Sequence, residues 1–220
     1  MRPPDLLHAV HDALGVRATG VRPLSGGCIG EVYALDLEDG RAAVAKRASG
    51  PAATLDLEGR MLQYLGAHSS LPVPAVWHST PGLLIMERLP GASQFSPAAE
   101  EHAAELLAAL HAVPGKAFGF ECDTLIGGLR QPNPWTASWP EFFAEHRLLY
   151  MAEEALRAGR LPQATYHRLK SLARRADDLL PPPATPGLLH GDVWTTNVLA
   201  QGARITGFLD PAIYYGHPEI

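Results

Sequence analysis

Three oxygen-bearing side chains near the end of the chain are spaced for phosphate chemistry. In LLHGDVWTTNVLA (residues 188–200) an apolar run ends at His190-Gly191, and Asp192 and Asn197 follow in a D-x4-N arrangement. A short strand over 197–200 turns at Gln201-Gly202 and returns over 204–209 to end at Asp210. An antiparallel hairpin of that kind brings Asn197 and Asp210 to one end. Phosphoryl transfer to a hydroxyl asks for a carboxylate that orients and deprotonates the hydroxyl, and for oxygen ligands to Mg²⁺ on the phosphates. Asp192 suits the first task, Asn197 and Asp210 the second. Asp and Asn beside Gly also simply make turns, and an isolated His-Gly-Asp is usually no more than that. The weight lies in the conjunction with Asp210 and with the N-terminal part of the chain.

That part supplies what the phosphates would need. Lys46 ends the apolar strand AAVAK, and Glu58 follows on the next helix. A lysine ammonium can contact α- and β-phosphates as a point charge while a glutamate holds it in place. Only Lys46, Lys116 and Lys170 among the 18 basic residues are lysines, and arginine would have served a merely solvated strand end. Ser25-Gly26-Gly27-Cys28-Ile29-Gly30 lies between two strands, where Gly26, Gly27, Cys28 and Gly30 could close backbone amides over phosphate oxygens. It is not a Walker A loop, because no Gly-Lys-Ser/Thr follows. The run LLIMERLPG (83–91) leads from an apolar strand into a connector, and its backbone near Glu87 and Leu89 could hydrogen-bond an adenine.

These residues need a scaffold, and the periodicity supplies one. Leu6, Leu7, Val10 and Leu14 recur at helical spacing. Residues 17–24, 31–37 and 41–48 read as strands, 54–66 as a helix with Leu57, Met61, Leu62 and Leu65 on one side, and 75–79 and 83–88 as two more strands. From Ser96-Pro97 the chain turns helical, with an N-cap followed by proline at the first helical position. Ser138-Trp139-Pro140-Glu141 has capping-box spacing and starts a helix to about Leu156; another runs from about Pro162 to Leu180. Short strands follow around 187–190, 197–200 and 204–209. The expectation is an α+β fold: a small antiparallel sheet with one helix over residues 1–88, for nucleotide, and a mainly helical catalytic and substrate lobe over 89–220.

Composition narrows the classes. With 220 residues, 46% hydrophobic and 19% charged, the chain can pack a core. A net charge of -5 with no basic stripe argues against nucleic-acid binding. No run of about 18 apolar residues suggests a membrane span, and MRPPDLLHAV lacks a signal-peptide core. Cys28 and Cys122 follow no metal spacing, and a reducing cytoplasm is the expected setting.

HGD-x4-N and the Asp of DPA stand where protein kinases carry H-R-D-x4-N and the Asp of D-F-G. More closely, the chain resembles the fructosamine kinase (ketosamine-3-kinase) family, in the protein-kinase-like, aminoglycoside-phosphotransferase-like fold. HGDVWTTN is similar to that family's HGD-L/V-W-x-x-N, where Trp replaces the residue usual in other phosphotransferases. DPAIYYGHPE and GGCIGEVY also fit, and FGFECDTLIGGLRQPNPWTASWPEFFAEHRL (118–148) is the most discriminating segment. The resemblance implies an ATP- and Mg²⁺-dependent kinase acting on the 3-hydroxyl of ketosamines, the adducts of amines with glucose or ribose. The phosphorylated adduct is labile and releases the amine. On that carry-over Asp192 is the base, Asn197 and Asp210 hold Mg²⁺, Lys46 meets phosphate with Glu58 as its partner, and Trp194 offers an apolar face to the sugar or else anchors the loop as a core residue. Trp135 and Trp139 read as packing residues and His190 as a loop anchor.

The family pattern continues past GHPEI into further helices, so the C-terminal lobe is expected to be incomplete. Cys28 could be a small buried thiol, or could oxidise or pair with its copy, giving a monomer or a redox-linked homodimer. Two rivals remain: a phosphotransferase for aminoglycoside or choline-type acceptors, and a nucleotide-binding pseudokinase.

Overall fold

The computed structural model describes residues 3–24, 30–50, 53–180 and 185–220. They form two compact units: residues 1–109 with 192–211, and residues 110–191 with 212–220.

The first unit is built on one antiparallel sheet in the order β1-β2-β3-β5-β4, comprising β1 (Ala18–Pro23), β2 (Glu31–Leu37), β3 (Ala42–Arg47), β4 (Val76–Thr80) and β5 (Leu83–Glu87). Side chains alternate across a strand, and β3 and β5 sort their residues accordingly. Ala43, Ala45 and Ile85 pack with Leu35, Leu37 and with Leu6 and Val10 of α1 (Pro3–Leu14). Leu84 and Met86 face the other way, onto Leu55 and Leu62 of α2 (Leu55–His68), with Val44 beside them. The expected helix therefore covers one face, and α1 covers the other. Each leucine buried this way contributes about 1.5–3 kcal/mol. The same alternation puts Lys46 on the face of Val44, toward α2.

α3 (Pro97–His111) starts where Ser96-Pro97 predicts, and the Ser96 hydroxyl accepts from the Ala99 N–H at 3.2 Å. Residues 192–211 join this unit as a hairpin of β9 (Val198–Gln201) and β10 (Arg204–Phe208). Backbone and side-chain hydrogen bonds fix it. Ala92 and Ala200 exchange backbone hydrogen bonds at 3.0 and 2.9 Å, and Phe208 N–H donates to the Pro72 carbonyl at 2.8 Å. Ile205 N–H donates to His102 Nδ1 at 3.0 Å, and the Thr206 hydroxyl donates to the Pro90 carbonyl.

The second unit is mainly helical. It contains α4 (Trp139–Phe143), a π-helical segment (Ala144–Leu149), α5 (Tyr150–Arg157), α6 (Gln163–Ala173) and α7 (Ala176–Leu179). Ser138 caps α4, accepting from Glu141 N–H at 3.3 Å. The helix expected over 162–180 is interrupted at Arg174–Arg175; Ala173 is the one buried residue of α6, so little packing enforces a continuous rod. Trp139 is buried and packs against Phe118, Phe142, Phe143 and His217. Two short pairings complete the unit: β6 (Thr124–Ile126) with β7 (Leu129–Gln131), and β8 (Gly187–Leu189) with β11 (Tyr214–Gly216). Of these, β6, β7 and β11 were not read from the sequence. Three-residue strands carry no period, although Gly127-Gly128 between them is a two-residue hairpin turn. Among the described residues no helix is long and apolar enough to cross a membrane.

Candidate active site

Asp192, Asn197, Asp210, Lys46 and Glu58 all belong to the first unit. Lys46 is buried at 8% exposure, and its ammonium lies 2.7 Å from Glu58 Oε1 while also contacting Asp210 Oδ1. Burial alone would lower the Lys46 pKa. The two carboxylates outweigh it, so the ammonium is held above its ordinary value and stays charged. Glu58 is pushed up, first by burial and then by Asp210, because one ammonium is shared between two carboxylates.

Asn197 is buried, and one short 3₁₀ turn (Thr195–Asn197) delivers it to the head of β9. Its Nδ2 donates to the backbone oxygen and to Oδ2 of Asp192, both at 3.0 Å. Leu209 N–H donates to the Asn197 carbonyl at 2.8 Å, so the stretch leading from β10 to Asp210 is fastened to the residue that holds Asp192. Burial raises the Asp192 pKa, with a further push from the Asp210 charge; the Asn197 hydrogen bond opposes both. Asp210 adopts φ +53°, the left-handed region that non-glycine residues rarely occupy. Sparsely populated backbone of this kind gathers at functional sites.

The donor set suits a hard cation. With Asn197 Nδ2 committed to Asp192, its Oδ1 is the amide atom left to face a metal, and the Asp210 side chain is 41% exposed. Among the described residues no cluster of three His, Cys, Asp or Glu forms a protein cage. A short protein ligand set is what Mg²⁺ takes when phosphates supply the remaining oxygens.

The other expected residues fall as follows. Leu89 sits in the connector after β5, and its side chain fills the space where a Gly207 side chain would be, with Cδ1 2.3 Å from that position. No hydrogen bond from the Leu89 N–H appears among the described residues. Glu87 ends β5; its N–H donates to Ala75 O at 2.8 Å and its carboxylate accepts from Ala75 N–H at 3.4 Å. Gly30 has φ +85° and lies against the Arg47 carbonyl. Gly26, Gly27 and Cys28 lie outside the described residues. Trp194 is 55% exposed, beside Val193 at 44%. Trp139 is a core residue as expected, whereas Trp135 is 37% exposed and lies beneath the Lys116 ammonium. The direct contact of Lys46 with Asp210, and Thr206 on Pro90, were not anticipated. They join residues more than 100 positions apart, and no local spacing marks them.

The α+β fold and this set of side chains define a kinase-like phosphotransferase. A solved aminoglycoside phosphotransferase in complex with AMP-PNP and hygromycin B shares the fold, with a TM-score of 0.70 at 21% identity, covering 97% of this chain and 73% of that one. The chain belongs to the fructosamine kinase family, whose model matches residues 6–220. It is 35% identical over 212 residues to the probable ketoamine kinase of Synechocystis sp., covering 90% of this chain and 68% of that protein. It is 32% identical over 216 residues to a chloroplastic protein-ribulosamine 3-kinase of Oryza sativa subsp. indica, covering 92% of this chain and 61% of the relative. A crystal structure from Thermobifida fusca, described as a candidate fructosamine-3-kinase, superposes with a TM-score of 0.87 at 30% identity, covering 97% of this chain and 75% of that one.

Proposed function

We propose that the protein is an ATP- and Mg²⁺-dependent kinase that phosphorylates the 3-hydroxyl of ketosamines. Residues 1–88 would serve the nucleotide, and 89–220 would serve catalysis and the acceptor. The observation that carries this reading is the Asn197–Asp192 hydrogen bond beside the Lys46–Glu58–Asp210 cluster. Mg·ATP supplies the phosphoryl group and neutralises charge on it. Asp192 orients the acceptor hydroxyl and takes its proton at a carboxylate oxygen, with Asn197 holding that carboxylate in place. Asn197 Oδ1 and Asp210 would hold the metal. Lys46, steadied by Glu58, meets the phosphates, and the Leu89 N–H with the backbone near Glu87 receives the adenine. Gly30, with Gly26, Gly27 and Cys28, would cover the phosphates. The exposed Trp194 offers its ring to the sugar.

The relatives named above support a ketosamine over an aminoglycoside, since the aminoglycoside phosphotransferase shares only the fold. The test is ADP release with fructoselysine, a ribulosamine of lysine, and an aminoglycoside as acceptors. Turnover confined to the ketosamines is expected. Turnover of the aminoglycoside alone, or of none while ATP binds, would overturn the reading.

A further inference from the structure

Among the polar side chains that the second unit buries and the proposed chemistry leaves unused are Thr124, Gln131 and Asn133, at 0%, 2% and 2% exposure. The register of β6 with β7 sets Thr124 directly opposite Gln131. Gln131 Nε2 donates to the Thr124 hydroxyl at 2.9 Å and to the Ala212 backbone carbonyl at 3.0 Å. Asn133 Nδ2 donates to the same hydroxyl at 2.9 Å and to Cys122 O at 3.1 Å. Arg147, from the π-helical segment, donates to Asn133 Oδ1 at 2.5 Å and to Pro132 O at 2.8 Å. The network is thus anchored at one end on a helix, and both donors of the Gln131 amide are used, as burial requires.

Its other end is the informative one. Ala212 N–H donates to His190 O at 2.8 Å. Gly191 has φ +83°, and a Cβ there would lie 2.0 Å from the Ala212 carbonyl oxygen, so only glycine permits the approach. Residues 190–191 and 212 therefore touch backbone to backbone. Between these two points the chain runs through 192–211, the stretch that carries Asp192, Asn197 and Asp210. Gln131 is the side chain that donates to the carbonyl at this pinch. An apolar residue would have filled the same space between the hairpin strands, but it could not have held that oxygen.

We propose that Gln131 is a positioning residue for phosphoryl transfer: its amide fixes Ala212 against Gly191 and so sets the base of the catalytic segment. This rests on the kinase reading above. Thr124→Val removes the other partner of Gln131 but keeps its bond to Ala212, whereas Gln131→Met keeps the side-chain length and loses both bonds. Both variants should melt at lower temperature. Gln131→Met alone should lower kcat about 10- to 100-fold with the KM for ATP within about twofold, the signature of displaced reacting groups rather than lost binding. It alone should also speed amide exchange across residues 188–197 and 206–213. Equal kcat in the two variants, with wild-type exchange in those segments, would overturn the proposal. If Gln131→Met does not fold, Gln131→Glu replaces it, since a carboxylate opposes the Ala212 carbonyl at unchanged shape. The exchange measurement needs no acceptor. A wild-type protein inert toward ketosamines would thus defeat the kinase reading, while exchange would still show whether Gln131 holds the segment.

Discussion

Asn197 grips Asp192 twice through one nitrogen, donating to its backbone oxygen and to its carboxylate at 3.0 Å each. The grip fixes the loop and the carboxylate rotamer together, and it leaves the amide oxygen of Asn197 as the atom that would serve a cation. On the proposed assignment, one buried side chain would couple the position of the base to that of the metal.

Asp192→Asn should lower kcat by roughly 10²–10⁴, the range for loss of a general base. ATP affinity, measured by calorimetry, should change little, because Asp192 is outside the Lys46 cluster. Near-normal turnover would remove Asp192 from the role. A protein that binds nucleotide equally well before and after the change, and turns over no acceptor in either form, would be a pseudokinase.

The acid limb of the pH–rate profile should lie above the ordinary carboxylate range. As a general base Asp192 would act only when ionised, and burial together with the Asp210 charge raises its pKa. kcat/KM for the acceptor should therefore fall as pH drops through that raised value. Stability runs the opposite way for this group. The folded state holds the Asp192 proton more tightly than the unfolded chain, so its contribution declines as pH rises between the two pKa values. Asp210→Asn removes the neighbouring charge and should shift the acid limb downward. An unmoved limb would separate the two carboxylates electrostatically.

Lys46→Met should weaken kcat/KM for ATP about 10- to 100-fold, through loss of a charge-assisted contact worth about 1.5–3 kcal/mol. It should also destabilise the fold, because Glu58 and Asp210 are left facing each other without their shared ammonium. The cost should lie toward the lower end of the about 3–5 kcal/mol typical of a broken buried pair, since Asp210 is 41% exposed. Lys46→Met with Glu58→Leu should regain most of the stability in urea melts and none of the activity. Equal melting of the single and double variants would show that the Glu58 pair contributes nothing.

How far the site could be read from the chain depended on distance along it. Lys46 meets Glu58 because strand alternation puts it on the face of Val44, which any period-2 reading exposes. Asn197 and Asp210 converge because a tight hairpin joins them. Gln131 and Ala212, 81 residues apart, are linked by one buried amide, and three-residue strands give no pattern from which to infer it. Burial decided what local pattern could not: Trp194 and Trp139 are the same residue type near predicted elements, yet one is 55% exposed and the other 2%.

That contrast makes Trp194 the sharpest probe of the acceptor. A core tryptophan truncated to alanine costs about 3–5 kcal/mol, and Trp139→Ala should pay on that scale. Trp194→Ala removes a ring that is more than half in water, so its melting temperature should stay near wild type. If the ring stacks on the sugar, the variant should raise KM for a ketosamine about 5- to 10-fold and leave KM for ATP unchanged. A purely structural role predicts the reverse, a lower melting temperature with unaltered KM. The two readouts move independently, and steady-state kinetics beside a thermal melt on the same preparation separates them.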